Sequence, residues 1–175
     1  MPNYAYIDGQ NLKHNTSFGQ PAWEIDLRKL RLYLQRKYQV IVAYYFVGAF
    51  LPENAKLYKS LARYGYQVIF RKHGKNTLSK KKGNVDTDIV FSIMHDLIEN
   101  PSLAQVVLVS GDGDYWRVVD YLIQKQRLAK LLAPNRHHTS SLYNRYIPDR
   151  YISYLDDPMV KRRLQLQKSQ FPRDR

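Results

Sequence analysis

The chain has 175 residues, of which 44% are hydrophobic, and this is enough apolar sequence for one globular domain. It carries 28 Lys and Arg against 15 Asp and Glu, so its formal net charge is +13 and its surface attracts polyanions. Cysteine is absent, which excludes disulfides, zinc thiolate sites and cysteine nucleophiles. No apolar run approaches the ~20 residues that span a bilayer, and no secretion signal opens the sequence. We therefore expect a cytoplasmic protein without a membrane partner.

The first third of the chain predicts two strands separated by a helix. Residues 3–7 (NYAYI) form a short apolar and aromatic run, which predicts a buried strand stopped by a turn at Asp8-Gly9. Leucines at helical spacing predict a helix over residues 26–38. Residues 40–47 (VIVAYYFV) are β-branched and aromatic without polar alternation, as expected for a strand covered on both faces.

The rest of the chain continues the same alternation. A second helix around Leu57 and Leu61 ends at Gly65, and a strand at 67–70 leads into a lysine-rich loop over residues 71–83. The further predicted elements are a helix at 87–99, a strand at 106–109, a helix from the acidic turn at 111–114 to about residue 126, a strand at 128–132, a helix at 140–146 and an edge strand near 151–155.

Strands that alternate with helices indicate βαβ units and right-handed crossovers. We therefore predict an α/β fold, a three-layer sandwich with a mainly parallel central sheet of order 3-2-1-4-5. The domain is expected to cover residues 1–157, and residues 158–175 are expected to be a basic C-terminal tail that is disordered. In such a sheet, ligands bind at the carboxyl ends of the two central strands, whose connections leave in opposite directions.

Acidic residues are concentrated in one segment of this chain, although a protein that attracts polyanions should have little use for them. Residues 83–126 hold seven acidic and two basic residues, although the whole chain is strongly positive. Asp8 ends the first strand, Asp112 and Asp114 follow the fourth, and Asp86 and Asp88 begin the helix between the third and fourth. Topology brings all five to one edge of the sheet. Each could also be an ordinary helix cap or turn residue, but several adjacent carboxylates raise one another's pKa unless a cation neutralises them. Oxygen ligands of this kind favour Mg²⁺ or Mn²⁺.

Three segments carry a resemblance to a known family. Residues 6–12 (YIDGQNL), 82–88 (KGNVDTD) and 109–114 (VSGDGD) resemble the NYN domain family of the LabA/DUF88 type, within the PIN-like nuclease superfamily. The resemblance covers roughly residues 3–155, and it implies a PIN-like fold and a divalent-metal-dependent ribonuclease. The positions that match the family's acidic residues are Asp8, Asp86, Asp112 and Asp114, with Asp88 at a position where an acid is frequent, Asn11 at the polar partner of the first aspartate and Ser110 at the small hydroxyl residue before the acidic turn.

The resemblance also suggests how these residues act. Asp8, Asp86 and Asp112 would hold the Mg²⁺ or Mn²⁺ ion, and Asp114 or Asp88 would bind it directly or through water. Asn11 and Ser110 are suited to orient a water molecule or a phosphate oxygen, although a plain turn role for Asn11 is an equal alternative.

Binding of RNA needs a positively charged track beside these carboxylates. We expect Arg136 on one side of this edge of the sheet and the loop after the third strand on the other. The basic residues of that loop are Arg71, Lys72, Lys75, Lys80, Lys81 and Lys82. The chain also has 15 tyrosines. The aromatic residues considered for stacking on unpaired bases of single-stranded RNA are Phe18, Trp23, Tyr143 and Tyr146.

Two other functions are compatible with the same residues. A non-catalytic RNA-binding or regulatory module would use the basic surface without needing its carboxylates. A Mg²⁺-dependent phosphatase of the haloacid-dehalogenase type would also place an Asp after the first strand, but it needs a second acid two residues later, where Gln10 stands. The oligomeric state is left open, with a homodimer as one option.

Overall fold

The computed structural model describes residues 2–17, 22–71 and 85–167. Within these residues the strands are β1 (Asn3–Asp8), β2 (Val40–Val47), β3 (Gln67–Phe70), β4 (Val106–Val109), β5 (Leu128–Ala133) and β6 (Ile152–Tyr154). The helices are α1 (Gly9–Ser17), α2 (Leu27–Tyr38), α3 (Ala55–Arg63), α4 (Val85–Glu99), α5 (Trp116–Gln124), α6 (Ser141–Tyr146) and α7 (Pro158–Leu164). None of these helices combines the length and the apolar content needed to cross a membrane.

The described strands form one sheet in the order β3-β2-β1-β4-β5-β6, and every neighbouring pair is parallel. This confirms the predicted α/β sandwich, and it adds β6 beside β5 as a sixth, parallel strand. β1 and β4 are neighbours at the centre, with Ile7 opposite Val109. The chain leaves them towards opposite sides of the sheet, so a crevice opens at their carboxyl ends.

The two faces of the sheet are both covered, which makes the three layers. Side chains alternate along β1, so that Tyr4 and Tyr6 pack on one face while Ala5 and Ile7 pack on the other. The first face lies against α4, α5 and α6, and the second lies against α1, α2, α3 and α7. Alternation along strands buried on both faces explains why β2 and β4 read as continuous apolar runs.

The predicted turn after the first strand is wrong, because α1 begins at Gly9 directly after β1. Its sequence, GQNLKHNTS, contains one large apolar residue, Leu12, so no helical periodicity of apolar residues is visible. The helix instead buries polar side chains, including Asn15 and Thr16. The Asp8 carboxylate accepts a hydrogen bond from the backbone N–H of Asn11 at 2.9 Å, which holds the start of the helix against the end of the strand.

The segment after residue 157 is helical through Leu164, so the expected disorder does not hold for residues 158–167. Leu164 is buried among α1, α2 and neighbouring core residues, and Gln165 forms an isolated antiparallel bridge with Ile25. The backbone N–H of Asp26 donates to the carbonyl of Leu164 at 2.8 Å. The domain boundary at residue 157 stays a prediction, and residues 168–175 lie outside the described part of the chain.

Candidate metal centre

The carboxyl ends of β1 and β4 are joined by a hydrogen bond between the connections that follow them. The backbone N–H of Gly111, two residues after β4, donates to Asn11 Oδ1 in α1 at 2.9 Å. Asn11 in turn donates its own backbone N–H to Asp8. The side-chain oxygen predicted to orient water is therefore bonded to the backbone of the acidic turn, which gives Asn11 a role in fixing the distance between the two strand ends.

Three carboxylates meet at this edge of the sheet. One oxygen each of Asp86, Asp112 and Asp114 lies within 4.8 Å of the others. Asp86 is in the first turn of α4, where the helix dipole favours an acidic side chain. Asp112 accepts a hydrogen bond from the backbone N–H of Asp114 at 3.1 Å, so the turn itself presents both side chains together. Hard oxygen donors at this spacing fit a divalent metal ion.

Asp8 lies behind this group of three and is connected to it through the hydroxyl group of Tyr115. Its side chain is 4% exposed, and its Oδ2 accepts from the Tyr115 hydroxyl at 3.1 Å. The same hydroxyl is 2.6 Å from Asp86 Oδ1. Because a tyrosine carries a single hydroxyl proton, Tyr115 donates to one of the two carboxylates at a time. Tyr115 therefore links the buried Asp8 to the Asp86 of the cluster.

Burial raises the pKa of both Asp8 and Tyr115. Desolvation raises the pKa of Asp8, and the charges of Asp86 and Asp112 raise it further, while the hydrogen bonds from Asn11 and Tyr115 act in the opposite direction. Burial also raises the pKa of Tyr115 well above its ordinary value, and the two carboxylates add to that effect. Tyr115 is thus a neutral hydrogen-bond donor across the physiological range.

We expect Asp8→Asn to stabilise the metal-free protein at neutral pH. Because folding raises the pKa of Asp8, its contribution to stability is fully present below the unfolded pKa of ~3.9 and is lost as pH rises through the folded pKa. Asn does not ionise and can still accept from the Asn11 N–H. Urea unfolding in EDTA should give a higher free energy of unfolding for the variant at neutral pH, with the two proteins converging towards the unfolded pKa. A variant less stable than wild type at neutral pH would contradict this.

The acidic turn is held from behind by hydroxyl groups. Ser110 is fully buried, and its Oγ accepts from the backbone N–H of Asp112 at 3.1 Å. The Tyr143 hydroxyl of α6 donates to the carbonyl oxygen of Asp112. Gly113 passes so close to Ser140 that an added Cβ would lie 2.9 Å from the Ser140 Cβ. Ser110 and Tyr143 thus shape the turn from inside the protein.

Two of the four aromatic residues predicted to stack on bases are buried. Tyr143 is fully buried and Trp23 is 4% exposed, so neither presents a ring to solvent and the stacking prediction is wrong for both. Tyr146 is half exposed, and its ring stacks on Trp116 with the centroids 5.5 Å apart. Phe18 lies outside the described residues.

Asp88 is not part of the described cluster. It lies two residues after Asp86 on α4, which turns it about 200° around the helix axis. Its backbone carbonyl accepts from the Ser92 hydroxyl at 2.8 Å, as is common within a helix. Of the five aspartates predicted to hold the metal, three therefore meet, Asp8 stands behind them, and Asp88 does not join them.

The basic track is described in part. Arg71 follows β3 at the predicted edge, whereas Lys72, Lys75, Lys80, Lys81 and Lys82 lie outside the described residues. The Arg136 guanidinium is 2.9 Å from Asp157 and 3.9 Å from the ring centroid of Tyr154. Arg136 is thus paired with an acid and an aromatic ring, which reduces its availability for a phosphate.

The fold and the site together define an α/β domain with a carboxylate cluster at the switch point of a parallel sheet. The chain belongs to the NYN family: the NYN domain model matches residues 4–155. NYN domains are typically those of metal-dependent nucleases.

Two relatives extend this comparison. The chain is 26% identical over 160 residues to the low amplitude and bright protein LabA of Synechococcus elongatus, covering 86% of this chain and 82% of LabA. A crystal structure of a protein of unknown function from Vibrio parahaemolyticus has the same fold, with a TM-score of 0.70 and 20% sequence identity over 94% of this chain and 96% of that one.

Sequence reasoning did not identify Tyr115, the hydroxyl that links Asp8 to Asp86. It is one of 15 tyrosines, and its only visible signal is its position directly after the GDGD turn. Because a helix begins at that position and packs in the core, the sequence pattern predicts only an ordinary buried tyrosine there.

Proposed function

We propose that this protein is a divalent-metal-dependent ribonuclease that hydrolyses RNA phosphodiester bonds. The observation that carries the proposal is the meeting of Asp86, Asp112 and Asp114 within 4.8 Å at the central strand ends of an NYN domain. Three carboxylates this close repel one another, and a bound cation would relieve that repulsion.

Asp86, Asp112 and Asp114 would hold the ion, which is Mg²⁺ or Mn²⁺ by the chemistry of its ligands. When bound, it would supply a Lewis acid for a phosphate oxygen and lower the pKa of a coordinated water. Asp114 is the exposed member, and it would face an incoming substrate phosphate. Asp86 and Asp112, which are partly buried, would fix the position of the ion relative to the sheet.

The second layer of residues orients these ligands. Tyr115 donates its proton to either Asp8 or Asp86, so its hydroxyl holds these two carboxylates at a fixed separation. Asp112 is fixed at both ends of its backbone, by Ser110 at its N–H and by Tyr143 at its carbonyl. Rigid ligands of this kind reduce the reorganisation needed on reaching the transition state.

The experiment is incubation of purified protein with labelled single-stranded and structured RNAs in Mg²⁺, in Mn²⁺ or in EDTA. We expect cleavage products with either ion and none in EDTA. Products that persist in EDTA would contradict the proposal. Tight RNA binding without cleavage, across a broad panel of RNAs and both ions, would instead favour a non-catalytic RNA-binding module.

A further inference from the structure

Three aromatic rings form an exposed group at the edge of the sheet. Phe50 lies after β2, Tyr58 in α3 and Phe70 at the end of β3; we call them the aromatic cluster. The ring centroids are 5.4 Å apart for Phe50 and Tyr58, 5.5 Å for Phe50 and Phe70, and 4.9 Å for Tyr58 and Phe70. Phe50 is nevertheless 55% exposed, and the neighbouring Leu51 is 44% exposed. Two rings therefore hold a third in a fixed position facing solvent.

The aromatic cluster lies on the same edge of the sheet as the carboxylates. Asp8 in β1 is opposite Phe46 in β2, which is opposite Ile69 in β3, so the cluster is two strands away from Asp8. At ~4.8 Å per strand, β3 is about 10 Å from β1 along this edge. The Phe70 side chain alternates with that of Ile69 and lies on the α3 face of the sheet, whereas the Asp8 side chain lies on the α4 face. A stacked single strand rises ~3.4 Å per nucleotide, so a strand that passes over the edge from one face to the other needs at least about three nucleotides.

The edge between the two places is continuous. A Cβ added at Gly48, directly after β2, would lie 3.5 Å from Gln10 Nε2, and Gln10 is two residues after Asp8. The carbonyl of Gly48 accepts from the backbone N–H of Arg71, the residue that follows Phe70. Gln10 and Gly48 therefore lie near each other between Asp8 and the aromatic cluster.

The charge around the aromatic cluster suits a phosphate backbone. Residues 50–71 contain four basic residues and a single acid, Glu53. Lys56 and Lys59 are exposed on α3, on either side of Tyr58 in sequence. Rings flanked by cations suit a polyanion with exposed planar bases, because the cations attract its phosphates while the rings stack on its bases.

We propose that the aromatic cluster is a base-stacking subsite for single-stranded RNA, with the ring of Phe50 as its platform. The inference rests on the proposed function, since it concerns the strand whose phosphate reaches the carboxylates. A base can stack on Phe50 only if the face of the base is not covered by a neighbouring base. The subsite therefore selects unpaired nucleotides over a duplex. The cluster thereby places a strand on the side of β1 that lies towards β3.

The test measures binding separately from cleavage. Fluorescence anisotropy of a labelled oligouridine is recorded in EDTA at fixed salt, with the same labelled strand annealed to its complement as the duplex probe. Phe50→Ala should weaken single-strand binding by about tenfold, within the range measured for loss of one stacked base. Phe50→Trp should restore it, and duplex binding should change by less than about twofold in both variants.

Phe91→Ala is the matched control, because Phe91 is 67% exposed but lies on α4, six residues beyond its start. It should bind both probes as wild type does. Unchanged single-strand affinity in Phe50→Ala would overturn the proposal. Equal weakening of the duplex, or the same loss in Phe91→Ala, would also overturn it. Absence of cleavage with the stacking pattern intact would count against the nuclease and not against the subsite.

Discussion

Asp112→Asn should lower metal-dependent RNA cleavage by at least ~100-fold, a loss comparable to that of other electrostatic groups that act on the transition state. Asp112 belongs to the group of three carboxylates and also accepts the N–H of Asp114, so it contributes both a ligand and the shape of the turn. Asn keeps the acceptor oxygen and removes the charge, which leaves the turn intact. Initial rates on a labelled single-stranded RNA, at saturating Mn²⁺, measure the effect.

Asp88→Asn is the control for this experiment. It makes the same charge change in the first turn of the helix that carries Asp86, but Asp88 is outside the described cluster. We expect it to retain cleavage within about threefold of wild type, in the range of a modest electrostatic change. If Asp88→Asn lost as much activity as Asp112→Asn, the ligand set would have to include Asp88, as the sequence first suggested. Equal rates for wild type and Asp112→Asn would indicate a contaminating nuclease.

Gly9→Ala should destabilise the protein by about 3 kcal/mol, at the upper end of the usual cost of overpacking. α1 starts here with no intervening loop and passes directly over β2. An added Cβ would lie 2.7 Å from the backbone oxygen of Phe46 and would overlap the buried ring of Tyr45. Neither neighbour can move without disturbing the sheet. Chemical denaturation followed by circular dichroism gives the free energy of unfolding.

Gly48→Ala provides the comparison for this substitution. The nearest atom to its added Cβ is Gln10 Nε2 at 3.5 Å, an ordinary contact with a flexible side chain. Its stability should stay within about 0.5 kcal/mol of wild type, as for most surface substitutions. If both alanine variants were equally stable, close packing would not explain why glycine follows Asp8.

Much of the fold was predictable because its strands and most of its helices carry the apolar patterns that define them. The bounds of β2 and β4 follow from continuous apolar runs, and the end of α3 follows from Gly65, whose φ of 87° suits glycine. α1 was missed because its buried residues are largely polar. α7 was missed because a short basic segment reads as solvated tail, although Leu164 anchors it in the core.

The sequence predicted which edge of the sheet carries the aspartates, but it did not predict which of their side chains are in contact. The order of strands brings Asp8, Asp86, Asp112 and Asp114 to one edge, and this needs only the pattern of elements. Which carboxylates touch depends on side-chain directions and on Tyr115, whose hydroxyl separates Asp8 from the others. The exposure of an individual aromatic ring cannot be predicted from the sequence either, since Tyr143 was expected to be exposed and is fully buried.

The close passage of Gly113 beside Ser140 has an evolutionary consequence. An added Cβ at residue 113 would lie 2.9 Å from the Ser140 Cβ and 3.3 Å from Leu142 Cδ1, so the glycine and the serine exclude larger neighbours from each other's positions. Among homologues, the two positions should therefore change together, with bulk at one accompanied by its loss at the other. Lineages that lose the late segment around α6 would no longer need a glycine at this position of their acidic turn.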